Sequence, residues 1–315
     1  MQDALSGLWL QAALPALQIN EYQNCQVIKM SEHLLEMAKA RVRVKDGKIE
    51  VLTDPGISCC PLRRDLYGIE KESRETVERV LQSHMQELGM YGPNRVLELQ
   101  EKPVSFGASE ILMDAMSEGL VDAAVVVCEG AGSVVAVKPD VLQAVGAHMT
   151  GLIKTEPIAE IQEGLAKRGC LLLDRQATID QVQGFERAVA AGFQKIAVTV
   201  AGSNADEATA LRKLGAKLGS RPFLLAVHTT GISDAEAAAL AQSCDLVWSC
   251  ASKAVRNVVG QKAKLQMGIS IPVFALTDKG KRLLLNRALH FSGPLVMHRA
   301  GLPLAPEDKQ PEPLI

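Results

Sequence analysis

The sequence predicts an α/β fold: a mostly parallel, Rossmann-like sheet with helices on both faces, plus a small N-terminal α+β appendage that contains a β-hairpin. Two observations predict this. From about residue 105, short continuously apolar runs alternate with segments of helical periodicity, which is the pattern of buried parallel strands joined by crossover helices. Before residue 105, one stretch instead alternates apolar and charged residues around a tight turn, as half-exposed hairpins do.

The appendage comes first along the chain. Its hairpin is predicted at residues 41–51, RVRVKDGKIEV, with Asp46 and Gly47 at the turn. A loop with the adjacent thiols of Cys59 and Cys60 follows, and an apolar stripe of helical spacing then ends at Gly89. We therefore expect an N-terminal extension over 1–30, the appendage over 31–104, the parallel domain over 105–300 and a disordered, proline-rich tail over 301–315.

The parallel domain is built from six predicted strands, VDAAVVVC, CLLLD, KIAVTVA, FLLAVHT, LVWSC and IPVFAL. The segments between them begin with residues that cap helices, and Ser233 with Glu236 has the spacing of a capping box. In open α/β sheets, ligands bind outside the carboxyl ends of the strands. The residues that come directly after these strands are therefore the first candidates for a functional site.

Composition excludes several classes of function. The net charge is -2 and the pI is near 6.3, so the chain has no overall basic field for nucleic acid or an anionic membrane. No apolar run reaches the roughly 20 residues that cross a bilayer, and no Lys or Arg precedes Lys29, so a signal peptide is not expected. Seven cysteines, an odd number in a long chain, indicate reduced thiols and a cytoplasmic protein.

Two thiols and one imidazole are predicted at the carboxyl edge of the sheet. Cys128 and Cys250 each close a strand and His228 closes another, whereas Cys170 opens its strand and belongs to the opposite edge. Cys250 also precedes the predicted helix SKAVRNVVGQ, whose unpaired N–H groups favour a thiolate. We expect Cys128, His228 and Cys250 to line one cavity.

The loop with the cysteine doublet supplies a third thiol if the appendage folds over this edge. Neighbouring side chains of an extended segment point in opposite directions, so we expect one of Cys59 and Cys60 to face the site, and Cys60 precedes a stiffening proline. Thiolates of Cys60, Cys128 and Cys250 would suit a soft metal or an iron-sulfur cluster. The alternatives are a Cys250 nucleophile with His228 as its base, and cysteines that only fill the core.

A small anionic ligand is also considered at this edge. The segment CEGAGSVV resembles half of a phosphate-binding fingerprint, but Val135 occupies the position of the third glycine, so a tight turn explains the segment better. Helix N-termini after His228 and Cys250 offer further N–H groups to an anion. The residues expected to contact such a ligand are Gly130, Gly132, Ser133, Thr229, Thr230 and Ser252.

Several phrases occur together and in order: ARVRVKDGKIEVL, CPL, SFGASEILMDAMSEGLVDAAVVVCEGAG, IDQVQGFERAV, KIAVTVAG, AVHTTGIS, CASKAVR and IPVFALTDKGK. Over roughly residues 33–285 the chain resembles the methanogenesis marker protein 8 family. The resemblance implies an anaerobic cytoplasm and an association with one-carbon or methyl-transfer metabolism. It carries over no catalytic residues.

These observations lead to one expected function and two alternatives. The expected function is an accessory protein of anaerobic metabolism that holds an iron-sulfur cluster or a soft metal between the carboxyl edge and the appendage. The first alternative is an enzyme in which Cys250 and His228 act on a small anionic substrate, and the second is a cofactor-free interaction protein. A redox or methyl-transfer protein is the expected partner, and a homo-oligomer is compatible with the sequence.

Overall fold

The structure, a computed structural model, describes residues 31–148 and 151–315. The predicted N-terminal extension, with Cys25, lies outside the described residues. The strands are β1 (Glu32–Met37), β2 (Ala40–Lys45), β3 (Lys48–Val51), β4 (Ala123–Cys128), β5 (Gly132–Ala136), β6 (Gly151–Thr155), β7 (Leu171–Leu172), β8 (Ile196–Ala201), β9 (Phe223–Val227), β10 (Leu246–Trp248), β11 (Leu265–Met267) and β12 (Val273–Ala275). The α-helices are α1 (Pro61–Tyr67), α2 (Arg74–Leu88), α3 (Ala108–Ser117), α4 (Pro139–Gly146), α5 (Ala159–Lys167), α6 (Gln181–Ala190), α7 (Ala205–Leu218), α8 (Asp234–Ser243) and α9 (Asp278–His290).

The smaller sheet has the strand order β3-β2-β1-β6 and is antiparallel. The predicted hairpin is confirmed, because β2 and β3 meet at Asp46 and Gly47, whose φ angles of 52° and 73° match the mirror-image turn that such hairpins favour. Helix α2 covers one face of this sheet with its apolar stripe. A capping box at Ser73 starts α2, and Gly89, with φ of 63°, comes directly after its end.

The larger sheet has the strand order β11-β12-β10-β9-β8-β4-β5-β7. Its four central strands, β10, β9, β8 and β4, are parallel as predicted. The flanks differ from the prediction: of the seven strand pairings described in this sheet, four are antiparallel. The chain turns straight back after β4 to form β5, and the IPVFAL run pairs antiparallel with β10. The fold is therefore a mixed α/β sheet rather than a mostly parallel one.

Helices cover both faces of the larger sheet, as predicted. One core layer packs α3, α4, α5 and α9 against the sheet, and the other packs α6, α7 and α8 against the opposite face. Phe185 of α6 and Leu211 of α7 are fully buried. Each such side chain contributes about 1.5–3 kcal/mol through its removal from water, so the layer of α6, α7 and α8 stabilises its face of the sheet.

The two sheets are joined more closely than the predicted domain boundary at residue 104 implies. Strand β6, which lies beyond that boundary, pairs with β1 of the appendage. Residues 31–315 consequently form one compact unit. Among the described residues, no helix is long and apolar enough to cross a membrane.

The proline-rich segment over 301–315 was expected to be disordered, but the structure shows it packed against the cysteine loop. Cys59 forms a bridge with Glu312, whose carbonyl oxygen also accepts a hydrogen bond from the backbone N–H of Ser58 at 2.6 Å. Two residues before Glu312, Gln310 accepts a hydrogen bond from Arg256 at 2.8 Å. These backbone and side-chain hydrogen bonds fix the segment despite its polar composition.

Candidate functional site

A cavity of about 610 Å³ lies between the carboxyl edge of the larger sheet and the appendage. The β1–β2 turn, α1 and His84 of α2 line one side, and the ends of β8, β9 and β10 line the other. Its walls are mainly apolar, with Phe106 and Trp248 among them. A concave, mainly apolar space with a few convergent polar side chains is the usual form of a small-molecule site.

Two groups stand out among the polar side chains that line the cavity, because they contain its thiols and its imidazoles. The thiol group consists of Cys60, His228, Thr230 and Cys250, and the Tyr67 cluster consists of Tyr67, His84 and His148. Cys60 precedes α1 and Tyr67 ends it, so about 10 Å of helix separates their backbones.

His228 and Cys250 lie just beyond the neighbouring parallel strands β9 and β10. Their φ angles of 52° and 31° lie in the left-handed region, which residues other than glycine rarely adopt. The hydroxyl of Thr229 donates to the carbonyl oxygen of Trp248 at 2.6 Å, and the hydroxyl of Thr230 accepts from the N–H of Ala251 at 3.3 Å. The two strand ends are thus tied together while both backbones are held in a costly conformation.

His228 is more than a third exposed, and it lines the cavity. Burial lowers the pKa of His228 to about 4. The imidazole is therefore uncharged at neutral pH, and an uncharged imidazole offers one hydrogen-bond donor and one acceptor.

Cys60 lines the cavity, whereas its neighbour Cys59 is not among the lining residues. Burial raises the pKa of Cys60, while the backbone N–H groups of Arg63 and Leu62 act in the opposite direction. The charge of Cys250 raises this pKa further, which means that the two thiols lie close enough to interact. Cys60 is therefore a protonated thiol at neutral pH.

Arg256 is a buried cation beside Cys250. It donates to the carbonyl oxygens of Ser249, Cys250 and Ser252 at 2.8–3.1 Å. Burial lowers the pKa of Arg256 to about 10, and the interaction with Cys250 acts in the opposite direction. All the hydrogen bonds that the described residues provide for this guanidinium end on uncharged oxygens, so no carboxylate among them neutralises its charge.

Cys128 does not belong to this site, which corrects the expectation that it shares a cavity with His228 and Cys250. It is fully buried, and its thiol donates to the carbonyl oxygen of Glu129 at 3.4 Å. Burial raises the pKa of Cys128 well above its usual range. Strands β8 and β9 lie between β4 and β10, so the carboxyl ends of β4 and β10 are roughly 14 Å apart.

The glycines of the segment CEGAGSVV lie in a tight turn away from the cavity. A Cβ on Gly130 would meet Ile158 at 2.8 Å, and one on Gly132 would meet the carbonyl oxygen of Thr178 at 2.3 Å. Ser133 is buried and donates to Gln181 at 2.7 Å. None of these three predicted ligand contacts lines the cavity, because β4 turns directly back into β5.

Of the three remaining residues that were predicted to contact an anion, one lines the cavity and two are buried elsewhere. Thr230 lines the cavity, while Thr229 is fully buried against β10. Ser252 is also fully buried, and its hydroxyl accepts from the N–H of Val255 at 3.2 Å. A π-helical turn, Val255–Val259, comes after it where a longer α-helix was expected.

The Tyr67 cluster was not predicted from the sequence. The hydroxyl of Tyr67 lies 3.1 Å from Nε2 of His84 and 3.0 Å from Nδ1 of His148. The three residues come from separate segments, so no local motif joins them. One signal was present: His84 occupies the apolar stripe of α2, next to Val80 and Leu81 in helical spacing.

The described residues do not bring together the predicted set of metal ligands. Cys60 and Cys250 line the cavity with His228, and Cys128 is elsewhere. Within residues 31–148 and 151–315, no three His, Cys, Asp or Glu side chains form a group that could hold a metal ion by themselves. A metal or cluster at this cavity would need a ligand in addition to the described side chains.

Comparison with known proteins shows the family of this chain. The model of a family described as uncharacterized proteins conserved in archaea (DUF2099) matches residues 33–289. The chain belongs to the DUF2099 family. An uncharacterized protein of Methanocaldococcus jannaschii is 36% identical to this DUF2099 protein over 288 residues, which cover 91% of the present chain and 100% of the relative. Both polar groups of the cavity lie within the matched residues.

Proposed function

We propose that this DUF2099 protein is an enzyme that binds a small molecule with an anionic group in the cavity and acts on it through the thiol of Cys250. The observation that carries the proposal is the pair of left-handed residues, His228 and Cys250, at neighbouring strand ends that face one cavity. Strained backbone is retained where the surrounding structure enforces it, and such residues cluster at functional sites.

The surroundings of Cys250 suit a nucleophile. The thiol is partly exposed and faces the cavity, so a substrate can reach it. The charge of Arg256 lies beside it and has no carboxylate partner among the described contacts. A cation next to a cysteine favours the approach of an anionic substrate.

His228 is the proposed proton acceptor. Its imidazole is uncharged at neutral pH because burial lowers its pKa to about 4. An anionic ligand beside the ring would raise this pKa, since an opposite charge favours the protonated form. The imidazole would then be a stronger base in the complex than in the free protein, which suits an acid-base role.

Alkylation with two matched reagents tests this proposal. Iodoacetate and iodoacetamide each lose iodide when a cysteine sulfur attacks the methylene carbon, and only iodoacetate carries a negative charge. We expect both reagents to modify Cys250 in the folded protein, with iodoacetate as the faster one. His228→Gln should slow the modification near neutral pH, while His298→Gln, at an exposed position, should not. Slow alkylation of Cys250, or a clear preference for the neutral reagent, would contradict the proposal.

A second candidate is an accessory protein that holds an iron-sulfur cluster or soft metal, and the proximity of Cys60 to Cys250 favours it. Two thiols and an imidazole in one cavity are ligands that such centres use. The resemblance to the methanogenesis marker protein 8 family implies a cytoplasmic role in anaerobic one-carbon or methyl-transfer metabolism for such an accessory protein. A redox or methyl-transfer protein would be the partner.

Anaerobic purification followed by iron, metal and sulfide analysis tests the second candidate. The parent protein should carry a stoichiometric metal, which Cys60→Ala should remove and Cys59→Ala should retain, because only Cys60 lines the cavity. If the parent carries no metal, or both variants carry as much as the parent, the metal proposal is wrong. If Cys250 is also unreactive, a cofactor-free interaction protein becomes the better account.

A further inference from the structure

The Tyr67 cluster is a second polar centre in the cavity, separate from the thiol group. The hydroxyl of Tyr67 lies between two imidazoles, at 3.1 Å from His84 and 3.0 Å from His148. The rings of His84 and His148 are 5.0 Å apart and nearly edge to face. Three side chains from α1, α2 and the segment after α4 therefore converge on one oxygen atom.

The three side chains are uncharged near neutral pH. Burial lowers the pKa of His84 to about 3 and also lowers the pKa of His148. Burial raises the pKa of Tyr67. Two neutral imidazoles can each donate one N–H to the phenolic oxygen, which leaves the O–H of Tyr67 free to donate elsewhere.

Charged groups of both signs surround the cluster. Arg63 lies 5.8 Å from the centre of the Tyr67 ring and favours the phenolate, but Glu72 binds its guanidinium and Glu87 acts in the opposite direction. Arg95 opposes protonation of both imidazoles, and nearby glutamates favour protonation of His148. These glutamates are Glu87, Glu101 and Glu110. The cluster thus offers hydrogen bonds rather than net charge.

Access to the cluster is from the cavity. Tyr67 and His148 are half-buried and line it together with the apolar side chains of Phe106 and Leu112. His84 is 3% exposed, and its Nδ1 atom has no hydrogen-bond partner among the described residues. A buried polar atom without a partner is costly, and such groups call for a functional or solvent-based explanation.

We propose that Tyr67 is a hydrogen-bond donor to a carbonyl oxygen, and a proton donor to a phenolate oxygen, of a ligand in this cavity. When a phenolate oxygen of the ligand takes the O–H proton, the ligand becomes a neutral phenol and Tyr67 becomes a phenolate, whose oxygen keeps the N–H groups of His84 and His148 as donors. The same proton returns to Tyr67 when the ligand leaves. Stabilisation of a developing negative charge by two oriented donors is the principle of an oxyanion site. The ligand is therefore an organic molecule with an apolar body and an oxygen that can accept a proton.

Binding of 4-nitrophenol tests the proposal without knowledge of the natural ligand. Its ring suits the apolar walls, its oxygen can accept the Tyr67 hydrogen bond, and its visible absorption band reports the state of that oxygen. We expect saturable binding at one site per chain with a shifted band. Tyr67→Phe should weaken binding by about tenfold, the effect of losing one strong hydrogen bond, and should abolish the band shift.

Two further variants keep the test decisive. His148→Ala retains the Tyr67 hydroxyl and removes one supporting donor, so it should weaken binding by less than Tyr67→Phe; it also serves if Tyr67→Phe does not fold. His298→Gln, at an exposed position that does not line the cavity, should bind 4-nitrophenol like the parent. The measurement involves no thiol chemistry, so a failure of the proposed function leaves its result unaffected. No saturable binding by the parent, or equal binding by all folded variants, would overturn the proposal.

Discussion

The carboxyl ends of β4 and β10 have similar sequences, but the cysteine after β10 lines the cavity and the cysteine at the end of β4 does not. Each belongs to a parallel strand of the same sheet and is closed by a cysteine. At β4, the chain turns back at once into β5, and Cys128 is sealed next to the buried pair of Arg95 and Glu129. At β10, the chain enters an irregular loop, and Cys250 faces the cavity.

The difference shows that a place at the carboxyl edge does not by itself make a residue functional. The segment after each strand decides the outcome: a two-glycine turn fills the space above β4, whereas the loops after β9 and β10 leave room for a ligand. Ligand sites of open sheets form where neighbouring loops diverge. Here the appendage covers that place and completes the cavity.

The largest loss of stability is expected when the buried ion pair next to the carboxyl end of β4 is broken. Arg95 and Glu129 form an ion pair at 2.5 Å with side chains at most 1% exposed. Arg95→Ala leaves the Glu129 carboxylate buried without its partner, so the free energy of unfolding should fall by about 3–5 kcal/mol. Arg43→Ala, which breaks the surface pair with Glu50, should cost less than about 1 kcal/mol. Urea denaturation measures both losses, and similar values would contradict the contrast.

The cavity side should instead be sensitive to acid. The folded chain lowers the pKa of His84 to about 3 from an ordinary 6.5, first through burial and then through the charge of His148. Below about pH 6.5 the imidazole of His84 is therefore protonated in the unfolded chain, whereas in the folded chain it stays unprotonated down to about pH 3. Stability should be lost as the pH falls from 6.5, on the order of 3 kcal/mol by pH 4 from this ring.

His84→Gln isolates this contribution. The variant should show a flatter dependence of the unfolding free energy on pH between 6.5 and 4 than the parent, because its side chain does not titrate. His298→Gln, on the surface, should reproduce the parent curve. Denaturant unfolding at several pH values provides the measurement, and parallel curves for parent and His84→Gln would show that His84 titrates normally.

The smallest of these effects concerns the turn that seals β4. Gly132 has a φ of 71°, and a Cβ there would lie 2.3 Å from the carbonyl oxygen of Thr178. Gly119 has a similar φ of 66° with open space around it. Gly132→Ala should therefore be less stable than Gly119→Ala by about 1–3 kcal/mol, the usual cost of overpacking. Equal thermal or urea stability of the two variants would mean that the turn relaxes easily.

The sequence was sufficient wherever local patterns determine structure. The hairpin at Asp46 and Gly47 was predicted because the turn type demands those residues, and the capping box of Ser233 with Glu236 is confirmed. The four central strands were also predicted, since buried parallel strands are continuously apolar. The positions of His228 and Cys250 result from those strands.

Features that depend on distant contacts could not be read in this way. A short apolar run fits an antiparallel edge strand as well as a parallel one, so the direction of β12 was not predictable from its residues. The packing of 301–315 rests on hydrogen bonds with Ser58 and Arg256, whose partners lie 254 and 54 residues away along the chain. The Tyr67 cluster joins three segments, and only folding brings them together.

Alkylation of each described cysteine by iodoacetamide in the folded protein tests the central claim, that the β9–β10 edge is open to ligands and the β4 end is closed. Peptide mass spectrometry after short exposures gives a rate for each thiol. We expect Cys250 to react in the native state and Cys128 to react only when the chain unfolds, because the thiol of Cys128 is fully buried. Modification of Cys128 at the rate of Cys250, in protein that remains folded, would contradict it.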